Sequence, residues 1–355
     1  MSKTRRFGSA LASGAAAAGA VRVGRFYRSL AYATGQTERV VAVTSDGWRL
    51  SMARYQAVGT PKGVIVAGHG FAGSSLIWDL APSASLARYA AAAGYDFYAL
   101  DLRGRGRSWP ASGPARDLHW SFDDFVFHDL PAATSTARER SRCDTVFWLG
   151  LEMSGQAIYA ASISSTVEVA GAVTFGSPVR TPADAKVPGV TAAPKARRRG
   201  RVLFRAGAHH AGPILALLRS GQLESSFVPA NVDPIVPARY LRHGVPNEST
   251  RLADQFTDWV ANDTMRSMDH ATIWADRLDE VRVPLMMWAA TRDLQRPLPA
   301  VRRAFDAMGS TDKTFVEAGR STGFSVDYGH DDLVAAKSSP TEVFPRIIEW
   351  IDRRV

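Results

Sequence analysis

Between residues 63 and 150, three short stretches run apolar with almost no break: Gly63–Ala67 (GVIVA), Asp96–Leu100 (DFYAL) and Thr145–Gly150 (TVFWLG). A half-exposed strand alternates polar and apolar residues, whereas a strand covered on both faces stays apolar. After them come, in turn, the helix-compatible segments Ser83–Ala93, Phe122–Arg138 and Ser154–Ala160. Buried strands alternating with helices leave few options beyond a mostly parallel sheet with helices on both faces.

The rest of the chain extends that pattern. Arg39–Val43 and Arg49–Tyr55 flank the turn Ser45-Asp46-Gly47 and read as a hairpin. Val167–Phe175, Pro284–Ala290 and Thr314–Val316 read as further strands, and Val343–Ile351 as a closing amphipathic helix. From Pro178 to Val283 the alternation lapses into helical, basic and loop-like sequence. The expected architecture is therefore α/β, a doubly wound, mostly parallel sheet with an inserted helical cap. Residues 1–37 read as a leader or flexible segment, 38–177 with 284–355 as the core, and 178–283 as the cap. Ligands of such sheets bind outside the carboxyl ends of the strands, beneath such a cap.

Composition narrows the class further. Across 355 residues, 46% are hydrophobic and 22% charged, which excludes wholesale disorder. The single cysteine, Cys143, excludes an internal disulfide and a cysteine-rich zinc site, and reads as a packed thiol. The formal charge of +9 is concentrated in Arg5, Arg6, Arg22 and Arg25 and in a run of Lys195, Arg197, Arg198, Arg199, Arg201 and Arg205. Such runs can meet phosphates or an anionic membrane, but a solvated face explains them too. Without aromatic interleaving or a recognition helix, no nucleic-acid partner is expected. Gly8–Ala20, after Lys3, Arg5 and Arg6, has the look of a weak export signal; it is shorter than a membrane span, and a cytoplasmic location is expected. Membrane contact through residues 1–37 stays open.

Several motifs stand in order along the chain. These are Gly68-His69-Gly70-Phe71, Asp101-Leu102-Arg103-Gly104-Arg105-Gly106-Arg107-Ser108, Ser121-Phe122-Asp123-Asp124, Asp129-Leu130-Pro131, Gly176-Ser177-Pro178 and Asp327-Tyr328-Gly329-His330. Together they resemble the α/β-hydrolase superfamily, in its capped bacterial lipase/esterase-like branch, over about residues 38–352. The resemblance implies a catalytic histidine at His330, an acid at Asp293 after the strand Pro284–Ala290, and an oxyanion hole from the backbone N–H groups of Phe71 and Met153. It implies no cofactor and no metal. The adjacent pair His209-His210 lacks the spacing that would place both on one helix face for a metal, and Asp331 and Asp332 read as helix-start residues.

The chain departs from the family at its nucleophile. The usual Gly-x-Ser-x-Gly turn reads Gly150-Leu151-Glu152-Met153-Ser154 here, so Glu152 stands at the serine position. A two-residue slip would make Ser154 the nucleophile of an ordinary serine esterase, at the cost of running the buried strand too far. In the superfamily a carboxylate at this turn attacks a saturated carbon; the resemblance implies the same for Glu152, or a role as an acid/base whose pKa an apolar pocket would lift and a protonated His330 would lower. The expected activity is hydrolysis, water addition or ring closure on a medium or large apolar small molecule, with natural-product tailoring as one setting. His69, Leu151, Ser154, Tyr240, Trp259 and Trp274 are pocket candidates. The alternative is a catalytically inactive binding protein that keeps the fold.

Overall fold

The computed structural model describes residues 21, 23–113, 118–180, 197–198, 201–217 and 225–355. The stretch Gly8–Ala20 and the basic residues Lys195 and Arg199 lie outside the described residues. The chain divides into Met1–Thr34, in which 23–29 is helical, and Gly35–Val355. No described helix is long and apolar enough to cross a membrane.

Gly35–Val355 is built on strands β1 (Glu38–Val43), β2 (Trp48–Tyr55), β3 (Gly63–Gly68), β4 (Tyr95–Leu100), β5 (Trp109–Pro110), β6 (Val146–Leu151), β7 (Gly171–Phe175), β8 (Arg197–Arg198), β9 (Arg201–Val202), β10 (Glu248–Ser249), β11 (Leu285–Ala290) and β12 (Lys313–Ala318). The main sheet has the order β1-β2-β4-β3-β6-β7-β11-β12, with β5 paired to β2. The β1–β2 hairpin is antiparallel and in register from Glu38 opposite Arg54, and β2 meets β4 antiparallel. From β4 to β12 every neighbour is parallel. This is the α/β-hydrolase architecture.

The nearly unbroken apolar runs are explained by position. Every residue of β3, β4, β6, β7 and β11 is buried. Along β3, Val64 and Val66 enter the core on one face of the sheet, while Ile65 and Ala67 enter that on the other. The segment expected as one helix from Phe122 is interrupted by a π turn at Phe125–Asp129 before it continues as Leu130–Ser141. Pro131 has no N–H to donate to the preceding turn, which accounts for the opening there.

Between β7 and β11 the chain forms the helices Arg205–His210, Gly212–Leu217, Ile235–His243 and Thr250–Asn262, together with a small sheet ordered β10-β9-β8. The expectation of a helical cap did not include that sheet, because two-residue strands leave no periodicity to detect. Two pocket candidates also need correction. Trp259 and Trp274 pack around Phe122, with ring centroids 4.8 and 5.6 Å from it. Their indole N–H groups donate to the Arg266 carbonyl and the Ser164 hydroxyl. Both rings are core, because they sit on the apolar faces by which the insertion is anchored to the sheet's helices.

Candidate active site

Strand β6 ends at Leu151, and the helix Met153–Ile163 starts two residues later. Glu152 alone makes the turn, at φ 51° and ψ −107°, a backbone conformation that side-chain-bearing residues rarely hold. Its N–H donates to the Phe175 carbonyl at 2.8 Å, which ties the bend to β7. The side chain is buried and both of its oxygens are engaged. Oε2 accepts the Phe71 backbone N–H at 2.6 Å, and Oε1 is ion-paired with the Arg296 guanidinium. Gly70 provides the space: a Cβ there would lie 2.8 Å from Oε2.

The loop after β11 joins the elbow to the histidine. Asp293 Oδ1 accepts the backbone N–H groups of Gln295 and Arg296 at 2.8 and 2.7 Å, while Oδ2 bonds His330 Nδ1 at 2.7 Å. Asp293 thus fixes the imidazole and the backbone of the arginine that holds Glu152. Sequence reasoning missed Arg296, and no motif marks it: it lies 144 positions from its partner. No hydrogen bond joins His330 to Glu152 among the described residues; the two share one cavity and act on each other through charge.

The electrostatics weigh two opposed expectations for Glu152. Burial works against ionisation of Glu152, but Arg296, His330 and the Phe71 N–H outweigh it and hold the carboxyl below its ordinary pKa. Burial was expected to lift that pKa and a protonated His330 to lower it; both act, and the buried Arg296 guanidinium decides the sign. For His330, burial disfavours the cation, yet Asp293, with help from Asp331 and Glu152, raises the pKa to about 9. At neutral pH the site therefore holds a carboxylate and an imidazolium.

A cavity of about 260 Å³ lies between the strand ends and the insertion. The core contributes Gly70, Phe71, Ala72, Leu151, Glu152, Gln295, His330 and Asp331, and the insertion contributes Phe204, Phe227, Tyr240, Leu241 and Val245 among others. Leu151 and Tyr240 line it as expected; His69 and Ser154 do not. His69 is fully buried behind the loop, with Nε2 accepting the Leu102 N–H at 3.2 Å and Nδ1 bonded to the Gly70 carbonyl at 2.9 Å. Burial, aided by Arg105, lowers its pKa to about 3 and keeps it neutral.

Ser154 is fully buried and donates to the His69 carbonyl, in space left by Gly68, where a Cβ would lie 2.5 Å from its Oγ. That rules the slipped register out geometrically, because the hydroxyl faces the back of the loop. The two expected oxyanion donors stand beside the elbow in different states. The Phe71 N–H is held by Glu152, whereas Met153 opens the helix as its first residue. Asp331 and Asp332 do start a short helix, Asp332–Ala335, with Asp331 as its N-cap residue, and Asp331 also lines the cavity.

The one cluster with metal-ligand geometry among the described residues, Asp46, Asp124 and His128, contributes no residue to this cavity's lining. Arg103 already supplies a cation there, 2.7 Å from Asp46 and 3.4 Å from Asp124.

A family model described as serine aminopeptidase, S33, matches residues 59–319. The chain belongs to this hydrolase family. Among solved structures, a membrane phospholipase A described as a bacterial virulence factor is 15% identical, with 99% of each chain covered and a TM-score of 0.57. A monoacylglycerol lipase from Paleococcus ferrophilus is 20% identical (86% of this chain, 99% of that one, TM-score 0.53). An esterase from a Rhodococcus species is 17% identical (89% and 99%, TM-score 0.55). No curated protein sequence matches. At these identities the structures establish a shared fold, and the family match makes the chain a hydrolase-family enzyme.

Proposed function

We propose that the cavity is a catalytic site in which the ionised Glu152 carboxylate is the nucleophile, acting with His330 and Asp293 on a largely apolar molecule of medium size. The observation that carries this reading is the pair of contacts on the Glu152 carboxylate. Arg296 keeps it charged, which suits a nucleophile better than a general base, since a lowered pKa weakens proton abstraction. The Phe71 N–H on Oε2 lies where an oxyanion would form if water later attacked an ester of that same carboxyl.

The balance is simple. A Glu152 oxygen forms a bond to an electrophilic saturated carbon, the bond from that carbon to its leaving atom breaks, and the imidazolium gives the leaving atom its proton. Once Glu152 is an ester its charge is gone, and one of the influences holding the His330 pKa up disappears with it. The neutral imidazole then takes a proton from water, which attacks the ester carbon. Hydrolysis returns the alcohol, the carboxylate and the imidazolium. The net reaction exchanges the leaving group for hydroxyl, or opens a strained ring by adding water.

The test is turnover of a panel of aryl epoxides, alkyl bromides and p-nitrophenyl esters by wild type, Glu152→Gln and Ser154→Ala. The reading expects Glu152→Gln to lose activity by at least about a thousandfold and Ser154→Ala to retain it. Activity surviving Glu152→Gln would end it.

A second reading is favoured by the same ion pair. A carboxylate that fills the oxyanion donor and is locked by a buried arginine also suits a ligand-binding pocket without turnover. In that case no member of the panel is converted, and His330→Ala changes nothing beyond ligand affinity.

A further inference from the structure

The cavity contains a second carboxyl that the mechanism does not use. Asp331 is 6% exposed, and its side chain makes no hydrogen bond or ion pair among the described residues. Its backbone is pinned, since its N–H donates to the Ser226 carbonyl of the insertion at 2.8 Å. The other charges are accounted for in pairs: Glu152 with Arg296, and Asp293 with His330. The neighbouring Asp332 is satisfied by the N–H groups of Gly329 and Val228 and the Asn231 amide. Asp331 alone is left facing the cavity, with the Tyr240 ring on the wall it shares. A buried carboxyl without a partner is costly to keep, and a ligand that donates hydrogen bonds removes that cost.

We infer that Asp331 forms a polar subsite that takes a hydrogen-bond-donating head group, an alcohol or an ammonium, of a substrate whose remaining body is apolar. The assignment rests on the proposed active site for its location, but not on turnover. The apolar remainder would meet Phe71, Leu151, Phe204, Phe227 and Leu241. Ammonium should be preferred, because the two cations of the site are already neutralised while Asp331 is not.

Burial, followed by the repulsion of Asp293, Asp332 and Glu152, raises the Asp331 pKa to about 7 against the opposing pull of His330. Tyr240 faces the same group from the insertion and stays neutral, since burial, Asp331 and Glu152 all push its pKa up. Ammonium binding therefore strengthens as pH rises through about 7, where the carboxylate forms.

The experiment is calorimetric titration of wild type, Asp331→Asn and Tyr240→Phe with octylamine, 1-octanol and sodium octanoate at pH 6 and pH 8.5. At pH 8.5, wild type should bind octylamine about tenfold or more tightly than octanoate, with octanol between them, and the preference should shrink at pH 6. Asp331→Asn should abolish the preference and its pH dependence; Tyr240→Phe should preserve the order. Octanoate equal to octylamine on wild type, or a preference that survives in Asp331→Asn, overturns the assignment. The ranking on wild type stands even if a variant fails to fold. A protein that shows the ranking without converting any substrate contradicts the proposed chemistry and leaves this subsite intact.

Discussion

The elbow and the histidine loop each place a carboxyl in the same cavity, and they treat it in opposite ways. At the elbow, Glu152 is held on both oxygens, by a backbone N–H and a buried guanidinium, and stays ionised. On the loop, Asp331 is equally enclosed but has no partner, and its proton leaves only near neutrality. Burial is common to both; what differs is whether a counter-charge was buried with the acid. The first arrangement builds a permanent anion at a fixed point, and the second leaves a group whose charge depends on pH and on what enters the cavity.

That contrast predicts stability effects of opposite sign, measured by denaturant unfolding at pH 8.5. Arg296→Ala strands the Glu152 anion and should cost about 3–5 kcal/mol, with Glu152→Gln costing a similar amount by stranding the arginine. The double change Glu152→Gln with Arg296→Met should recover part of this loss. Asp331→Asn should instead stabilise the fold by about 1–3 kcal/mol, because it removes an unpaired buried charge. If all three single changes destabilise equally, the distinction between the two acids is wrong.

His330 sets the next largest effect. His330→Ala should reduce turnover by about 10²–10⁴-fold if the imidazole moves protons in both half-reactions, and the steady-state rate measures this.

The smallest expected effect concerns pH. The folded His330 pKa, about 9, lies above its ordinary value of 6.5. Its pairing with Asp293 therefore stabilises the fold fully below about pH 6.5, and that contribution is lost as pH rises through about 9. The raised pKa of Asp331 has the same sign, since its folded-state proton is lost near pH 7 rather than 3.8. Thermal melts should fall between pH 6.5 and 9 through His330, and Asp331→Asn should remove the separate fall that Asp331 contributes between about pH 3.8 and 7.

The fold was legible in the sequence because a strand covered on both faces has few polar positions to disguise it; β3, β6 and β11 are continuous apolar runs, and β4 is broken only by Asp96. Asp293, His330 and Glu152 were legible because each directly follows such a strand or closes a recognisable motif. Arg296 was not, since its role depends on a contact across 144 positions. Nor were the functions of Trp259 and Trp274, which composition cannot separate from pocket lining. Asp331 was legible only as a helix starter; that its carboxyl faces the cavity follows from where the insertion pins its backbone, at Ser226. The elbow's tolerance of a long acid rests on Gly70, whose missing side chain leaves room for the carboxylate. The sequence displays that glycine without showing what occupies the space.

The central claim is that Glu152 bonds covalently to substrate carbon, and trapping that bond tests it most directly. His330→Ala, which lacks the base that hydrolyses the ester, should be incubated with 1-bromooctane, whose bromide leaves without needing a proton. Peptide mass spectrometry should then find a single octyl ester on Glu152, absent when Glu152→Gln is combined with His330→Ala. An unmodified Glu152, or an adduct placed only on other residues, would contradict the account.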